Sequence, residues 1–194
     1  MTEAASEGET KVPTLVVAPG SSFADIVTAS DVVLTAPESL DGAWRVQPQG
    51  KHRVRLDHPK IGFTLPPTVY SLVEAKKTVT RIRSTPQLGY LDLEGALALV
   101  QSLHGLFVDA GWESRRRYPN ARVEWMFGSR SEVLVGTWRP LPDIRKIADP
   151  TAGYRVDVEV RRAVDAGTAE AKGLGLDGAG FLVTALVSDE LRDA

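Results

Sequence analysis

The longest regular run of apolar side chains lies between Asp92 and Gly111 and has the period of an α-helix. At an advance of about 100° per residue, these side chains fall within one arc of about 200°. Asp92 can cap the first turn, and Gly111 can end the helix. So wide an apolar arc predicts one long, largely buried helix over about 92–110, packed across a sheet. The arc contains Leu93, Ala96, Leu97, Leu99, Val100, Leu103, His104, Leu106, Phe107, Val108 and Ala110.

Between residues 43 and 65 the period changes to two, which is typical of antiparallel strands with one buried and one wet face. Residues 57–60 have the length of a hairpin turn. The alternation therefore predicts antiparallel sheet with basic side chains gathered on its outer face. The inner face holds Trp44, Val46, Val54, Leu56, Ile61, Phe63 and Leu65, and the outer face holds Arg45, Arg53, Arg55 and Thr64.

Shorter patterns fill the rest of the N-terminal half. Residues 14–18 are apolar and bounded by prolines, which predicts a strand. Ser22 and Asp25 have the spacing of a capping box, so a brief helix is expected after that strand. Residues 68–83 fit either a helix or two strands, and their β-branched end favours a second hairpin that turns at 74–77.

The C-terminal half has the pattern of a strand meander. Strands are expected at 122–127, at 132–139 and, with the clearest alternation, at 154–160. Residues 181–187 are apolar on both faces, which places them in the middle of a sheet. Strands, one helix and then a meander predict an α+β fold with antiparallel sheets rather than a doubly wound sheet.

The length of 194 residues suits one domain of ordinary size. Residues 1–12 carry too little apolar surface to offset ordering, so we expect a disordered leader there. Residues 13–194 are then predicted to form a single α+β domain. A subdomain division, if there is one, falls near residues 84–90, where the sequence is rich in turn-forming residues.

Composition narrows the class of protein. The chain is 43% hydrophobic and has no cysteine, so it predicts a soluble globular protein without disulfides or thiolate chemistry. No uncharged apolar run approaches the roughly 20 residues that a membrane span needs. The acidic, polar start lacks the features of a secretory signal, which favours a cytoplasmic protein. If a signal segment has been removed, a periplasmic or secreted location is expected instead.

The net charge of -2 hides a basic middle segment. Residues 45–83 contain nine lysines and arginines, opposed only by Asp57 and Glu74. A surface with that imbalance attracts an acidic partner and speeds encounter with it. The alternative is that acidic segments elsewhere in the chain neutralise these charges once the protein has folded.

Several chemistries lack their sequence signals. Residues 173–178 match G-x-G-x-x-G, but a strand rather than a helix is predicted to follow, which argues against a dinucleotide site and favours a flexible loop over 166–180. The patterns G-x-S-x-G and H-E-x-x-H are missing. We therefore predict no catalytic residue, no cofactor and no metal site.

The three histidines have modest explanations at this level. His104 lies inside the apolar arc of the long helix, where a neutral core histidine with one hydrogen-bond partner is expected. His52 and His58 bracket one predicted strand. Asp57 beside His58 is the one acid–histidine neighbour pair, and a small hydrolase assembled around it remains an alternative function.

The remaining candidate is a binding surface that combines basic and aromatic residues. Tryptophan, tyrosine and arginine dominate binding hot spots because they join large apolar area to a directional polar group. The same basic residues would also complement the dipole at the end of the long helix. The pI near 6.0 argues against nucleic acid as the partner. The candidate residues are Trp112, Arg115, Arg116, Arg117, Tyr118, Trp138, Arg139, Arg53 and Arg55.

A helix that ends in Ala110-Gly111-Trp112 and precedes a strand meander resembles small bacterial accessory proteins, such as immunity proteins that neutralise secreted toxins. The resemblance covers the second half of the chain. It implies a non-catalytic module, an inhibitor, immunity or assembly protein, that binds an acidic protein partner through the basic and aromatic surface. A ligand pocket between the long helix and the sheet is a further alternative.

Overall fold

Two helices and ten strands form the described part of the chain. The computed structural model describes residues 11–115, 132–143, 153–164 and 179–189. The helices are α1 (Phe23–Ala29) and α2 (Leu93–Asp109). The strands are β1 (Thr14–Val17), β2 (Trp44–Val46), β3 (Arg53–Leu56), β4 (Phe63–Thr64), β5 (Ser71–Ala75), β6 (Val79–Ser84), β7 (Trp112–Ser114), β8 (Glu132–Pro140), β9 (Tyr154–Val164) and β10 (Gly180–Asp189).

The larger of two sheets has seven strands in the order β2-β5-β6-β10-β9-β8-β7, and every neighbouring pair is antiparallel. The predicted α+β class with antiparallel sheets is confirmed. β10 is the fourth strand of the seven, as its apolar character on both faces predicts. The meander of the C-terminal half therefore pairs with the β5–β6 hairpin of the N-terminal half through β10.

Side-chain alternation gives the large sheet one apolar face. Val158 of β9 lies opposite Ala185 of β10, and both side chains are almost completely buried. Helix α2 packs across this face: the Phe107 and Trp138 rings lie 5.2 Å apart at a steep angle. The hydrophobic core thus lies on one side of the sheet. Its inner layer contains Val73, Ile82, Val156, Val158, Val160, Val183, Ala185 and Val187.

Helix α2 begins and ends where its capping residues predict. The Asp92 carboxylate accepts a hydrogen bond from the Gly95 backbone N–H at 2.7 Å. Gly111 has a φ of 85° and ends the helix in the left-handed region that favours glycine. The fully buried stripe of α2 consists of Ala96, Val100, Leu103 and Phe107. The stripe is narrower than the predicted arc, since Val108 is 47% exposed.

The small sheet has the order β1-β3-β4, and the Phe63 ring of β4 packs against the Trp112 ring of β7 at 5.9 Å. The expected hairpin is present, because β3 and β4 pair antiparallel around residues 57–62. β1 pairs with β3 in parallel. β2 departs from the prediction: it pairs with β5 in the large sheet rather than with β3. The Phe63 ring lies 4.9 Å from the Phe107 ring and joins the small sheet to α2.

Two local expectations for the N-terminal half are confirmed. Ser22 and Asp25 form the reciprocal capping box that begins α1, and the helix ends after seven residues. Residues 71–84 form the second hairpin, in which Val73 lies opposite Ile82. The predicted leader is described only at Lys11 and Val12, and the predicted strand at 122–127 and most of the loop at 166–180 lie outside the described residues.

A β-bulge in β8 turns Trp138 into the core. Two steps along β8, from Leu134 to Gly136, match one step along β9, so the alternation shifts phase there. The Trp138 indole is then fully buried over Gly136. A Cβ on Gly136 would lie 2.2 Å from Cη2 of Trp138. Glycine is therefore required by the close approach of the ring.

Within the described ranges, no helix is long and apolar enough to cross a membrane.

Two glycine-to-alanine substitutions are predicted to change stability in opposite directions. Gly136→Ala should lower the free energy of unfolding by about 1–3 kcal/mol, because the new methyl group displaces the Trp138 ring. Gly105→Ala should raise it by about 0.5–1 kcal/mol, because this exposed helical site has nothing within 4 Å of the added Cβ. Urea denaturation midpoints measure both. Equal midpoints for Gly136→Ala and the wild-type protein would contradict the packing described for Trp138.

Candidate functional site

The second face of the large sheet is charged and, among the described residues, carries neither helix. Strand alternation places Glu159 and Arg161 of β9 on this face, opposite Thr184 and Leu182 of β10. Arg83 of β6 lies on the same face, opposite Leu186 of β10. We call this side the open face. Its other charged residues include Arg45, Glu74, Arg81, Glu132, Arg155 and Asp157.

Several arginines of the open face are neutralised by carboxylates. The Glu74 carboxylate forms ion pairs with two arginines. Its Oε1 lies 2.9 Å from the Arg45 guanidinium, and its Oε2 lies 3.8 Å from the Arg81 guanidinium. The buried Asp157 lies 2.5 Å from the Arg155 guanidinium. The charges of Arg45, Arg81 and Arg155 are therefore neutralised by carboxylates of the same sheet.

The Asp157 carboxylate is fixed by a second contact. Its Oδ1 accepts a hydrogen bond of 2.7 Å from the Thr137 hydroxyl, while Oδ2 faces Arg155. Because both oxygens are occupied and the residue is only 4% exposed, this ion pair is a structural element of the sheet.

Arg83 and Arg161 differ from these arginines. Both are exposed, and neither forms an ion pair within 4.0 Å with any carboxylate of the described ranges. Arg83 lies on β6 and Arg161 on β9, on opposite sides of the central strand β10. Two guanidinium groups therefore stand on one face with hydrogen-bond donors available to a ligand.

Both guanidiniums line a cleft of about 370 Å³, which we call the sheet-face cleft. Its floor is formed by apolar and small polar side chains of β10, and its rim carries two tyrosines, of which Tyr90 is 37% exposed. An apolar floor with a few polar groups is the usual composition of a binding pocket. The lining residues are Val69, Tyr70, Arg83, Thr85, Gln87, Gly89, Tyr90, Glu132, Arg161, Leu182 and Thr184.

Gln87 fixes one wall of the cleft to β10. Its Nε2 donates hydrogen bonds to the carbonyls of Gly89, at 2.6 Å, and Phe181, at 3.0 Å. Its Oε1 accepts the Val183 backbone N–H at 2.8 Å. Leu91 then pairs with Phe181 through two backbone hydrogen bonds. Beyond the end of β6, the Gln87 side-chain amide thus makes the hydrogen bonds to β10 that a neighbouring strand backbone would make. These bonds hold residues 85–91 along β10.

Glu132 and Glu159 form a carboxyl pair across β8 and β9, next to the two arginines. In the register, Glu132 lies opposite Arg161, and Glu159 lies one pleat further along the same face. Burial raises the pKa of the Glu159 carboxyl, and hydrogen bonding to Glu132 and its charge raise it further. The charge of Arg83 opposes this shift and that of Asp157 adds to it. The pKa of the Glu159 carboxyl therefore lies above the usual range for glutamate.

The two tryptophans of the predicted surface lie in the core. Trp112 is 1% exposed, and its Nε1 donates a 2.9 Å hydrogen bond to the Ile61 carbonyl. Trp138 is fully buried. Neither indole can contact a partner while the protein is folded, because both are enclosed by α2 and the small sheet. Their side chains serve packing.

The predicted arginines are not gathered in one place. Arg53 and Arg55 are exposed on the small sheet, and Arg55 lies 3.6 Å from Asp57. Arg115 follows β7 at the edge of the large sheet and lies 2.6 Å from Glu113. Arg139, in β8 next to β7, is half-buried. The predicted Arg116, Arg117 and Tyr118 lie outside the described residues.

The His58 imidazole has hydrogen-bond partners within its own turn. The backbone N–H groups of Lys60 and Ile61 both donate to His58 Nδ1 at 3.2 Å, so the imidazole organises the β3–β4 hairpin. The neighbouring Asp57 carboxylate faces Arg55. His58 and Asp57 therefore have structural partners in the hairpin.

The other two histidines also have structural partners. His52 is completely buried, with Nδ1 2.8 Å from the Gly50 carbonyl and Nε2 2.7 Å from the Ser71 hydroxyl. Since a carbonyl only accepts, His52 carries its proton on Nδ1 and accepts from Ser71. His104 is half-buried, and its Nδ1 accepts the Trp138 indole N–H at 3.2 Å.

The described ranges contain no group of three His, Asp or Glu side chains that could bind a metal ion.

The predicted pocket between α2 and the sheet differs in position from the cleft observed, because the large side chains of the core fill the helix–sheet interface. The sheet-face cleft lies on the opposite side of the sheet.

The residues of the cleft were absent from the sequence-based candidates. Arg161 follows the polar positions of the most regular predicted strand, and Arg83 ends the basic segment. In the sequence, these two positions were the only indication that the residues could belong to a site. What the sequence could not supply was the pairing of β6 with β10, which brings the two residues to one face.

Comparison of the chain with protein-family models, with curated protein sequences and with solved structures found no match.

The Gln87 contacts predict a large effect for a substitution of similar size. Gln87→Leu should lower the free energy of unfolding by roughly 1–3 kcal/mol for each buried backbone group that loses its partner, chiefly the Val183 N–H. Leu88→Gln, at the neighbouring half-exposed position, should change it by less than about 0.5 kcal/mol. Thermal and urea unfolding of the two variants measure this difference. Equal stability would show that Gln87 does not hold the wall of the cleft.

Proposed function

We propose that the protein is a non-catalytic binding module that recognises an acidic segment of a partner protein at the sheet-face cleft. The observation that carries the proposal is the pair Arg83 and Arg161, whose charges have no carboxylate within ion-pairing distance among the described residues. The neighbouring Arg45, Arg81 and Arg155 are paired with carboxylates on the same face. The open face thus neutralises some arginines and leaves two available at one cleft.

The chemistry of the rim supports a protein partner. Tyr70 and Tyr90 supply aromatic area with a polar tip beside the two guanidiniums, and tyrosine and arginine are the residue types enriched at interface hot spots. Arginine presents a planar fork of donors that matches a carboxylate. The floor around Leu182 accepts an apolar neighbour of that carboxylate. An extended segment with an acidic residue beside an apolar residue fits this arrangement.

Inhibitors, immunity proteins and assembly factors act by such binding without chemistry of their own, so the expected class of function is retained in the proposal. The surface proposed here differs from the sequence-based one. It keeps the combination of arginine and aromatic residues, but the residues come from β6, β9, the position before β5 and the segment that Gln87 holds.

The test is a peptide selection with a charge-reversal variant. A random peptide library is panned against the wild-type protein, and the selected peptides are measured against Arg83→Glu/Arg161→Glu. We expect peptides that contain Asp or Glu beside an apolar residue, with affinity that falls at high salt and falls at least about tenfold in the double variant.

The matched control is Arg53→Glu/Arg55→Glu, which makes the same change in net charge on the small sheet. This variant should bind the selected peptides within about twofold of the wild-type protein, since distant exposed charges are largely screened. Loss of binding in the control variant, with full binding in Arg83→Glu/Arg161→Glu, would move the site to the small sheet. A selection that yields no acidic peptide would remove the support for a protein partner and favour a small anionic ligand.

A further inference from the structure

The position of the Glu132–Glu159 pair gives the cleft a second property. Glu132 lines the same cleft as Arg83 and Arg161, and Glu159 lies on the same face of β9, two residues before Arg161. An anion that enters the cleft therefore approaches two guanidiniums and the Glu132 carboxyl group, to which the Glu159 carboxyl is hydrogen-bonded. The ionisation of the carboxyl pair determines whether the field at the cleft attracts or repels that anion.

We propose that anion binding at the sheet-face cleft is linked to uptake of one proton by the Glu132–Glu159 pair. The inference rests on the proposed function, because it concerns the regulation of the same site. With one proton shared by the pair, the two carboxyl groups carry a single negative charge against two guanidiniums. With both carboxyl groups ionised, the net charge of the four groups is zero, and an entering anion gains little electrostatic attraction.

The surroundings of the pair explain why one proton is held there. Two carboxyl groups in hydrogen-bonding contact disfavour full ionisation, and burial of Glu159 adds to the cost. Arg83 on β6 and Arg161 on β9 favour the ionised form, whereas Asp157 on β9 disfavours it. The facing positions of β10 are Leu182, Thr184 and Leu186, which do not titrate. An anion bound to the arginines weakens their influence on Glu159, so it favours protonation.

The direction of the pH effect follows from these charges. A carboxyl pKa raised in the free protein means that the singly protonated pair predominates at lower pH and is lost as the pH rises through that pKa. Affinity for an anion should therefore be high in mildly acidic solution and decline toward alkaline solution. The ligand must keep its own charge across this range for the effect to be attributed to the protein.

The probe is acetyl-(cysteic acid)-Tyr-(cysteic acid)-amide, whose sulfonates stay ionised. Its affinity is measured by calorimetry or NMR titration from about pH 5 to about pH 8, above the ordinary glutamate pKa of about 4.3. We expect the wild-type dissociation constant to rise roughly three- to tenfold across this range, as one charge is added near the guanidiniums.

Two conservative variants test the assignment. Glu159→Gln and Glu132→Gln each leave a single carboxylate in the pair, so each should bind the probe at about pH 8 as tightly as the wild-type protein does at about pH 5. Glu94→Gln, an exposed substitution in the first turn of α2, should keep the full pH dependence. Unfolding curves of the variants verify that the fold is retained.

The outcomes separate the two proposals. Binding that is equally tight at all pH values, or a pH dependence that persists in Glu159→Gln, would overturn the proton linkage and leave the anion site in place. No binding of the probe at any pH would overturn both the linkage and the anion site on which it rests.

Discussion

The alternation of side chains across β9 and β10 is the constraint on which the rest of the molecule depends. Both strands turn small apolar residues, such as Val158 and Ala185, toward α2. On the other side β9 carries charged residues, and β10 carries Leu182, Thr184 and Leu186. Because β10 is central, this division extends through its neighbours on both sides of the sheet. One face is then available for the core, and the charges are confined to the other. The location of the candidate site follows from this separation.

The arginines of the open face differ in whether a carboxylate neutralises them. An arginine next to a cross-strand carboxylate, such as Arg45 beside Glu74, satisfies its charge within the sheet and contributes little attraction for a ligand. Arg83 and Arg161 face Leu186 and Leu182 on β10, so β10 supplies no opposite charge. Glu132 lies opposite Arg161 on β8, but the two side chains form no ion pair within 4.0 Å. The neighbouring Glu132 and Glu159 carboxyl groups moderate the field of Arg83 and Arg161 instead, and the pKa of Glu159 is raised by its burial and by Glu132. A binding surface here results from the choice of cross-strand neighbours.

Local signals in the sequence predicted local structure well, while long-range pairing escaped them. Asp92 and Gly111 bounded α2 because capping depends only on nearby backbone. Trp138 was proposed for a binding surface because of its residue type, and residue type does not report the bulge that turns its side chain into the core. The contact between Gln87 and Phe181 joins residues 94 positions apart, and no short-range pattern reports it. The candidate site depends on such pairings, and for that reason its residues were not predicted.

The most direct test of the central claim is an NMR titration that follows the side-chain Nε–H resonances of the arginines during addition of a selected acidic peptide. The account predicts that the resonances of Arg83 and Arg161 shift with saturating dependence on peptide, while those of Arg45 and Arg155, already paired with carboxylates, stay nearly constant. Saturating shifts at Arg53 and Arg55, with Arg83 and Arg161 unchanged, would contradict it.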